Sequence, residues 1–178
     1  GEIEHASTTS IQGSPVAMML NGDNLVVVSV VSSWNIDNDD PLQDAMGWSG
    51  DWYGWRTNTL TKFTVFDISN SSSPEINREL YIEGYYMTAR EVAGTVRTVT
   101  HTWMNIPDLR TWITYPEEYW ESDYSEEERR NMREVAAQEA MEHNLELMSE
   151  ITLEDILPQV HERIGDEIIT HHMDEEDC

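Results

Sequence analysis

The chain has 178 residues, 35 Asp and Glu against 10 Lys and Arg, a formal net charge of −25 and an isoelectric point near 4.2. That length suffices for one ordinary domain with its own core. So acidic a surface repels phosphate backbones and argues against nucleic-acid binding, while the longest apolar run, Leu25 to Val31, is far too short to span a bilayer. Lys62 is the sole lysine, and Cys178, the sole cysteine, has no internal disulfide partner. A lysine-poor acidic surface suits a high-salt habitat, where screening weakens self-repulsion; the alternative is charge gathered in a few acidic loops. A start at Gly1 and a stop at Cys178 give the expectation of a piece of a longer chain.

From the N-terminus, residues 1–14 are polar and read as a weak edge strand or loop. Val16 to Leu20 and Leu25 to Val31 flank Asn21-Gly22-Asp23-Asn24, the strongest hairpin signal in the sequence. Residues 34–59 then form an insertion rich in Trp, Asp, Asn and Gly. Lys62 to Ile68 alternates with period two and is apolar on both faces, as in a strand packed between layers. Asp67, Ser69, Asn70 and Pro74 break that pairing with turn residues. Ile76 to Glu83 is the next strand, and Gly84 interrupts the extended pattern. Tyr85 to Val92 and Val96 to His101 read as a second hairpin around Ala93-Gly94-Thr95.

Gly22 and Gly94 lie 72 residues apart, each between an apolar and a β-branched strand. Removing most of the insertion brings that spacing to the roughly 40 to 50 residues of propeller repeats. On this reading Lys62 to Ile68 closes one blade and Ile76 to His101 opens the next. The pattern of Asp67, Ile68, Ser69, Pro74, Gly84, Tyr85 and Arg90 resembles that of secreted β-propeller proteins of archaea and bacteria, distantly related to WD-repeat propellers. The resemblance covers about residues 14–103, and LEDILPQ at 153–159 is also similar to bacterial members, in which a helical insertion precedes such a segment. It implies a mainly β fold of antiparallel propeller blades, an incomplete ring that continues into further blades, and a secreted or cell-surface address. It supplies no catalytic residues.

After residue 103 the character changes. Pro107 to Tyr124 is aromatic and acidic. Ser125-Glu126-Glu127-Glu128 has capping-box spacing, predicting a helix over 126–148. Met132, Ala136, Ala140 and Leu147 share one face of it, and Met141, Leu145 and Met148 form a second patch, so the helix is expected to touch protein on two sides. Thr152 caps a short helix over 153–157 that Pro158 ends. The tail is acidic. The organisation is thus a blade segment over 1–103 and an aromatic loop, helices and tail over 104–178.

Three constellations bear on chemistry. Asn35, Asp37, Asp39, Asp40 and Asp44 offer the hard oxygen donors calcium requires, yet Met46 stands where a bidentate carboxylate belongs, and a solvated acidic loop is the plainer reading. Trp48, Trp52, Tyr53 and Trp55, spaced by Gly47, Gly50 and Gly54, present rings able to stack on a sugar or a protein partner; the alternative is a loop that buries its own rings. His161, His171 and His172 with Asp166, Asp174 and Glu175 resemble metal donors in type, without helical or Cys-pair spacing. No nucleophile elbow or phosphate-cradling loop is present. The expected function is a non-enzymatic extracytoplasmic binding or scaffolding module engaging a protein or glycan, without a required cofactor. The alternative is a carbohydrate-active hydrolase or glycan-binding protein using the Trp-rich loop.

Overall fold

The computed structural model describes residues 4–47, 57–103, 106 and 108–173. Strands β1 (Ser14–Asn21), β2 (Asn24–Ser32), β3 (Thr59–Asp67) and β4 (Glu75–Glu83) form an antiparallel meander. Strands β5 (Tyr85–Val92) and β6 (Thr95–His101) make a separate hairpin, and β7 (Val160–Ile164) and β8 (Glu167–His171) extend the meander in the order β1-β2-β3-β4-β7-β8. The fold is mainly β and antiparallel, its sheets are not closed, and one long helix lies between β6 and β7.

One expectation is corrected. β3 and β4 do not belong to successive blades, because they pair in one sheet from Leu60 opposite Glu83 to Asp67 opposite Glu75. The residues between them reverse the chain instead of releasing it. Ser69 N donates to Asp67 Oδ1 at 2.8 Å, Ser72 N to Asn70 Oδ1 at 3.2 Å, and Ser73 N to Asn70 O at 3.0 Å, so two Asx side chains build the turn. The change of sheet comes later, at Gly84, whose φ is +112°.

A second difference is the C-terminal hairpin. The sequence reading places no strand after Pro158, whereas β7 pairs with β4 and turns at Gly165-Asp166 into β8. Glu83 N donates to Gln159 O at 3.1 Å and Gln159 N to the buried Glu83 carboxylate at 2.9 Å, which sets that junction.

Register assigns the faces, since residues directly opposite in a ladder point the same way. One face carries Val31, Leu60 and Tyr81 and is covered by residues 33–47. Within this cover α1 (Pro41–Ala45) starts at Asp40, whose carboxylate accepts from Leu42 N at 2.9 Å, with Pro41 at the first helical position. Leu42, Met46 and Ile36 pack onto Val31, Leu60 and Tyr81, and Ile168 of β8 closes the cluster. Each such buried aliphatic side chain contributes about 1.5–3 kcal/mol. The opposite face carries Val26, Phe63, Val65, Leu80 and Ile82 and looks toward β5 and β6.

The long helix α2 (Glu126–Glu150) opens on the predicted capping box: Ser125 N donates to Glu128 Oε2 at 2.7 Å and Glu128 N to Ser125 Oγ at 3.3 Å. It runs two residues past the predicted Met148. The short α3 (Leu153–Ile156) follows Thr152. Along α2 lies an aromatic strap, held by Asn144 to both backbone groups of Arg110 at 2.9 Å, by Arg133 to the Tyr119 hydroxyl at 2.9 Å, and by stacking of Tyr115 on Tyr119. Among the described residues no helix is long and apolar enough to cross a membrane.

A Cβ added at Gly84 would lie 2.8 Å from His101 O, whereas one added at Gly165, also at positive φ, meets open space. Gly165→Ala is expected to cost about 1–2 kcal/mol, the left-handed strain alone. Gly84→Ala should cost more, about 3 kcal/mol, because backbone must also move. Urea unfolding midpoints of the two variants check the order.

Candidate functional site

The middle of the covered face is polar. Ser29, Lys62, Tyr81 and His161 stand opposite one another across β2, β3, β4 and β7, next to Thr64, Glu79 and Arg163. Lys62, only 4% exposed, ion-pairs with Glu79 and donates from Nζ to Gln12 Oε1 at 2.9 Å. The Tyr81 hydroxyl donates to the same oxygen at 3.0 Å. Arg163 donates to both Asp40 oxygens at 2.7 and 2.8 Å and lies 3.7 Å from Glu79. Both cations also approach the Tyr81 ring, Lys62 at 4.9 Å and Arg163 at 5.6 Å from its centroid, an attraction that strengthens away from water. Burial works against the charged form of Arg163, and Asp40 and Tyr81 outweigh it, so its pKa is raised. Two cations and two carboxylates balance in this layer. Chemically it is a clamp, because each charged group is engaged by the others.

On the other face, β5 and β6 stand across a cleft of about 440 Å³ whose walls include Met19, Val26, Phe63 and Leu80 from the sheet and Val96 and Thr98 from the hairpin. Glu91 ties the two sides by accepting from Gly94 N and from Asn21 Nδ2 at 3.3 Å. The hairpin's Met87, Val92 and Val99 are exposed. Further along this face Arg78 pairs with Glu162, which also meets His171 Nε2 at 3.2 Å.

The structure treats the candidate residues differently. Trp48, Trp52, Tyr53 and Trp55 lie outside the described residues. Asn35, Asp37 and Asp39 are exposed at the start of the covering segment, while Asp40 is turned onto Arg163 and the start of α1. The three histidines are not brought together. His161 is buried on the covered face with Nδ1 3.0 Å from Thr170 Oγ1; His171 lies on the opposite face against Glu162; His172 meets Gln159 at 3.1 Å and Glu154 at 3.3 Å. Among the described residues no group of three or more His, Cys, Asp or Glu is placed to hold a metal ion. Sequence reasoning misses the layer of Lys62, Glu79, Tyr81 and Arg163. Its one visible signal is a sole lysine in the middle of a strand apolar on both sides.

A family model described as Beta propeller domain matches residues 1–176. No curated protein and no solved structure matches the chain.

Two outcomes test this geometry. Arg163→Met leaves Asp40 without its charged donor and is expected to lower stability by about 1.5–3 kcal/mol; combined with Asp40→Asn it should cost less than the sum of the two single changes, measured by a double-mutant cycle in urea. The Arg78 guanidinium, hydrogen-bonded to Glu162, holds that carboxyl below its usual range against the effect of burial, with His171 adding to the lowering. Its stabilising contribution is therefore complete above the unfolded value of about 4.3 and is lost as pH falls through the lower folded value. Glu162→Gln should lower Tm at neutral pH, and the gap to wild type should close as pH falls below about 4.

Proposed function

The chain belongs to the β-propeller domain family, and on that footing we propose that it is a non-enzymatic binding or scaffolding module that works outside the cytoplasm. The observation that carries this reading is the β5–β6 hairpin. It is a two-stranded sheet with Met87, Val92 and Val99 exposed, standing across a cleft from a completed meander. A propeller blade has four strands, so the hairpin is suited to completion by further strands and its apolar side chains to contact with protein. The charged layer points the same way, since buried Lys62 and half-buried Glu79, Arg163 and Asp40 are engaged in holding the sheet. The extracytoplasmic address is supported by the resemblance to secreted propeller proteins.

The second reading is glycan recognition by Trp48, Trp52, Tyr53 and Trp55, with hydrolysis as its extension. What favours it is their setting. They stand between α1, anchored through Asp40 to Arg163, and the buried Thr57 before β3, so both flanks are fixed to the sheet.

A photo-crosslinking amino acid placed at Val99 in the native extracellular fraction is expected to give a protein adduct of defined mass, with a flat glycan array and no glycoside turnover. Sugar binding or turnover that disappears in Trp52→Ala/Trp55→Ala while the fold is retained would establish the glycan reading instead. For the address, a membrane-impermeant maleimide should label Cys178 on intact source cells; labelling only after lysis contradicts it.

A further inference from the structure

We propose that the stripe Met141, Leu145 and Met148 of α2 is a docking surface for a cationic amphipathic helix of a partner protein. The three residues are spaced i, i+4, i+7 and so line one face of a helix. They are 49, 63 and 51% exposed, far more than a helix sealing its own core would leave. Most of the strap follows another side of α2, where Thr114, Tyr115 and Pro116 line a cleft with Met132, Val135 and Ala136, and it reaches the edge of the stripe only where Asn144 holds Arg110. An apolar stripe at this spacing is the receiving half of helix-on-helix recognition, and two methionines let it adapt to the side chains laid on it.

The sign of the partner's charge follows from α2 itself. From Glu134 to Asp155 the chain has seven carboxylates and no Lys or Arg. The helix dipole puts partial negative charge at the C-terminal end, where cations are stabilising, yet the last turn of α2 has no basic residue while Glu146 and Glu150 stand there. Helix end and carboxylates therefore repel, beside the exposed stripe. A cationic helix relieves both at once, and the net charge of −25 steers it inward. A second copy of this chain would set carboxylates against carboxylates, and an anionic bilayer would be repelled.

This surface is separate from the β5–β6 hairpin. The proposal rests on the binding-module reading only in taking the chain to engage proteins, and the crosslink at Val99 does not involve α2, so either can fail alone. The probe is a fluorescein-labelled amphipathic helix of Leu and Lys, about 18 residues or five turns long, titrated with the whole 178-residue chain. Fluorescence anisotropy is expected to report saturable binding that weakens as ionic strength rises from about 0.05 to 0.5 M, and no binding of the matching Leu and Glu peptide. Met141→Gln/Leu145→Gln/Met148→Gln keeps every charge and good helix formers, and should weaken binding at least about tenfold with unchanged helicity by circular dichroism. If it loses helicity, Leu145→Gln alone, which also keeps every charge, serves as the variant and must weaken binding likewise. Binding of either folded variant within about twofold of wild type would show charge attraction alone and overturn the proposal. So would absence of binding to the wild type, or a salt-induced dimer that the triple variant loses.

Discussion

The layer of Lys62, Glu79, Arg163 and Asp40 around Tyr81 is the constraint on which the rest of the molecule depends. Charges removed from water are costly unless each finds a partner in good geometry, and these partners come from separate parts of the chain. Gln12 reaches in from the N-terminal segment, Lys62 from β3, Glu79 and Tyr81 from β4, Arg163 from β7, and Asp40 from the start of α1. Satisfying them together requires that β7 pair with β4 in its observed register, Glu79 opposite Arg163. A slip of one residue would turn Arg163 to the other face and leave Asp40 and Glu79 without it.

That requirement organises the chain. Because Gln159 is bonded to Glu83, the residues between them leave one sheet and return to the same place. The β5–β6 hairpin, the strap and α2 form this excursion. Closing so long a loop carries an entropic cost that grows only with the logarithm of its length, which a buried ladder and ion layer offset. The result separates duties. Residues 33–47 cover the part of one face that carries Val31, Leu60 and Tyr81, with Arg163 bonded to the same Asp40 that caps α1, while Met18 and Leu20 at the β1 edge of that face stay exposed. The excursion carries exposed Met87, Val92 and Val99 on its hairpin and Met141, Leu145 and Met148 on α2, and the proposed binding role rests on these groups.

What was legible in the sequence is what local chemistry specifies. Asn21-Gly22 and Ala93-Gly94 each announce a turn, and both hairpins are there. Ser125 and Glu128 announce a capping box, and both reciprocal bonds form. The propeller resemblance, resting on residues 14–103, agrees with a family match over 1–176. The failures have a common cause in distance along the chain. The turn at Asp67 and Asn70 is the exception, being local, because turn residues alone do not say whether the next strand folds back onto β3 or leaves it. Asp40-Pro41 announces the start of α1, but the pairing of Asp40 with Arg163, 123 residues away, has no local signal, so the surrounding acids read as an ion-binding loop. The strands β7 and β8 alternate weakly, because β7 places Glu162 and Arg163 on opposite faces, each held by a charge on β4. A polar residue buried through a distant partner looks like surface when only its neighbours in sequence are visible.

The central claim is that β7 is an integral strand of the N-terminal sheet, locked there by the ion pairs of half-buried Arg163 with Asp40 and Glu79. Native-state hydrogen exchange tests it most directly, since amides in one cooperative unit open with one free energy. The slow-exchanging amides of β7 should share the opening free energy of those in β3, well above those of β5 and β6, and Arg163→Met should lower β3 and β7 together. Exchange of β7 at the lower free energy of the β5–β6 hairpin, with β3 unmoved by Arg163→Met, would contradict it.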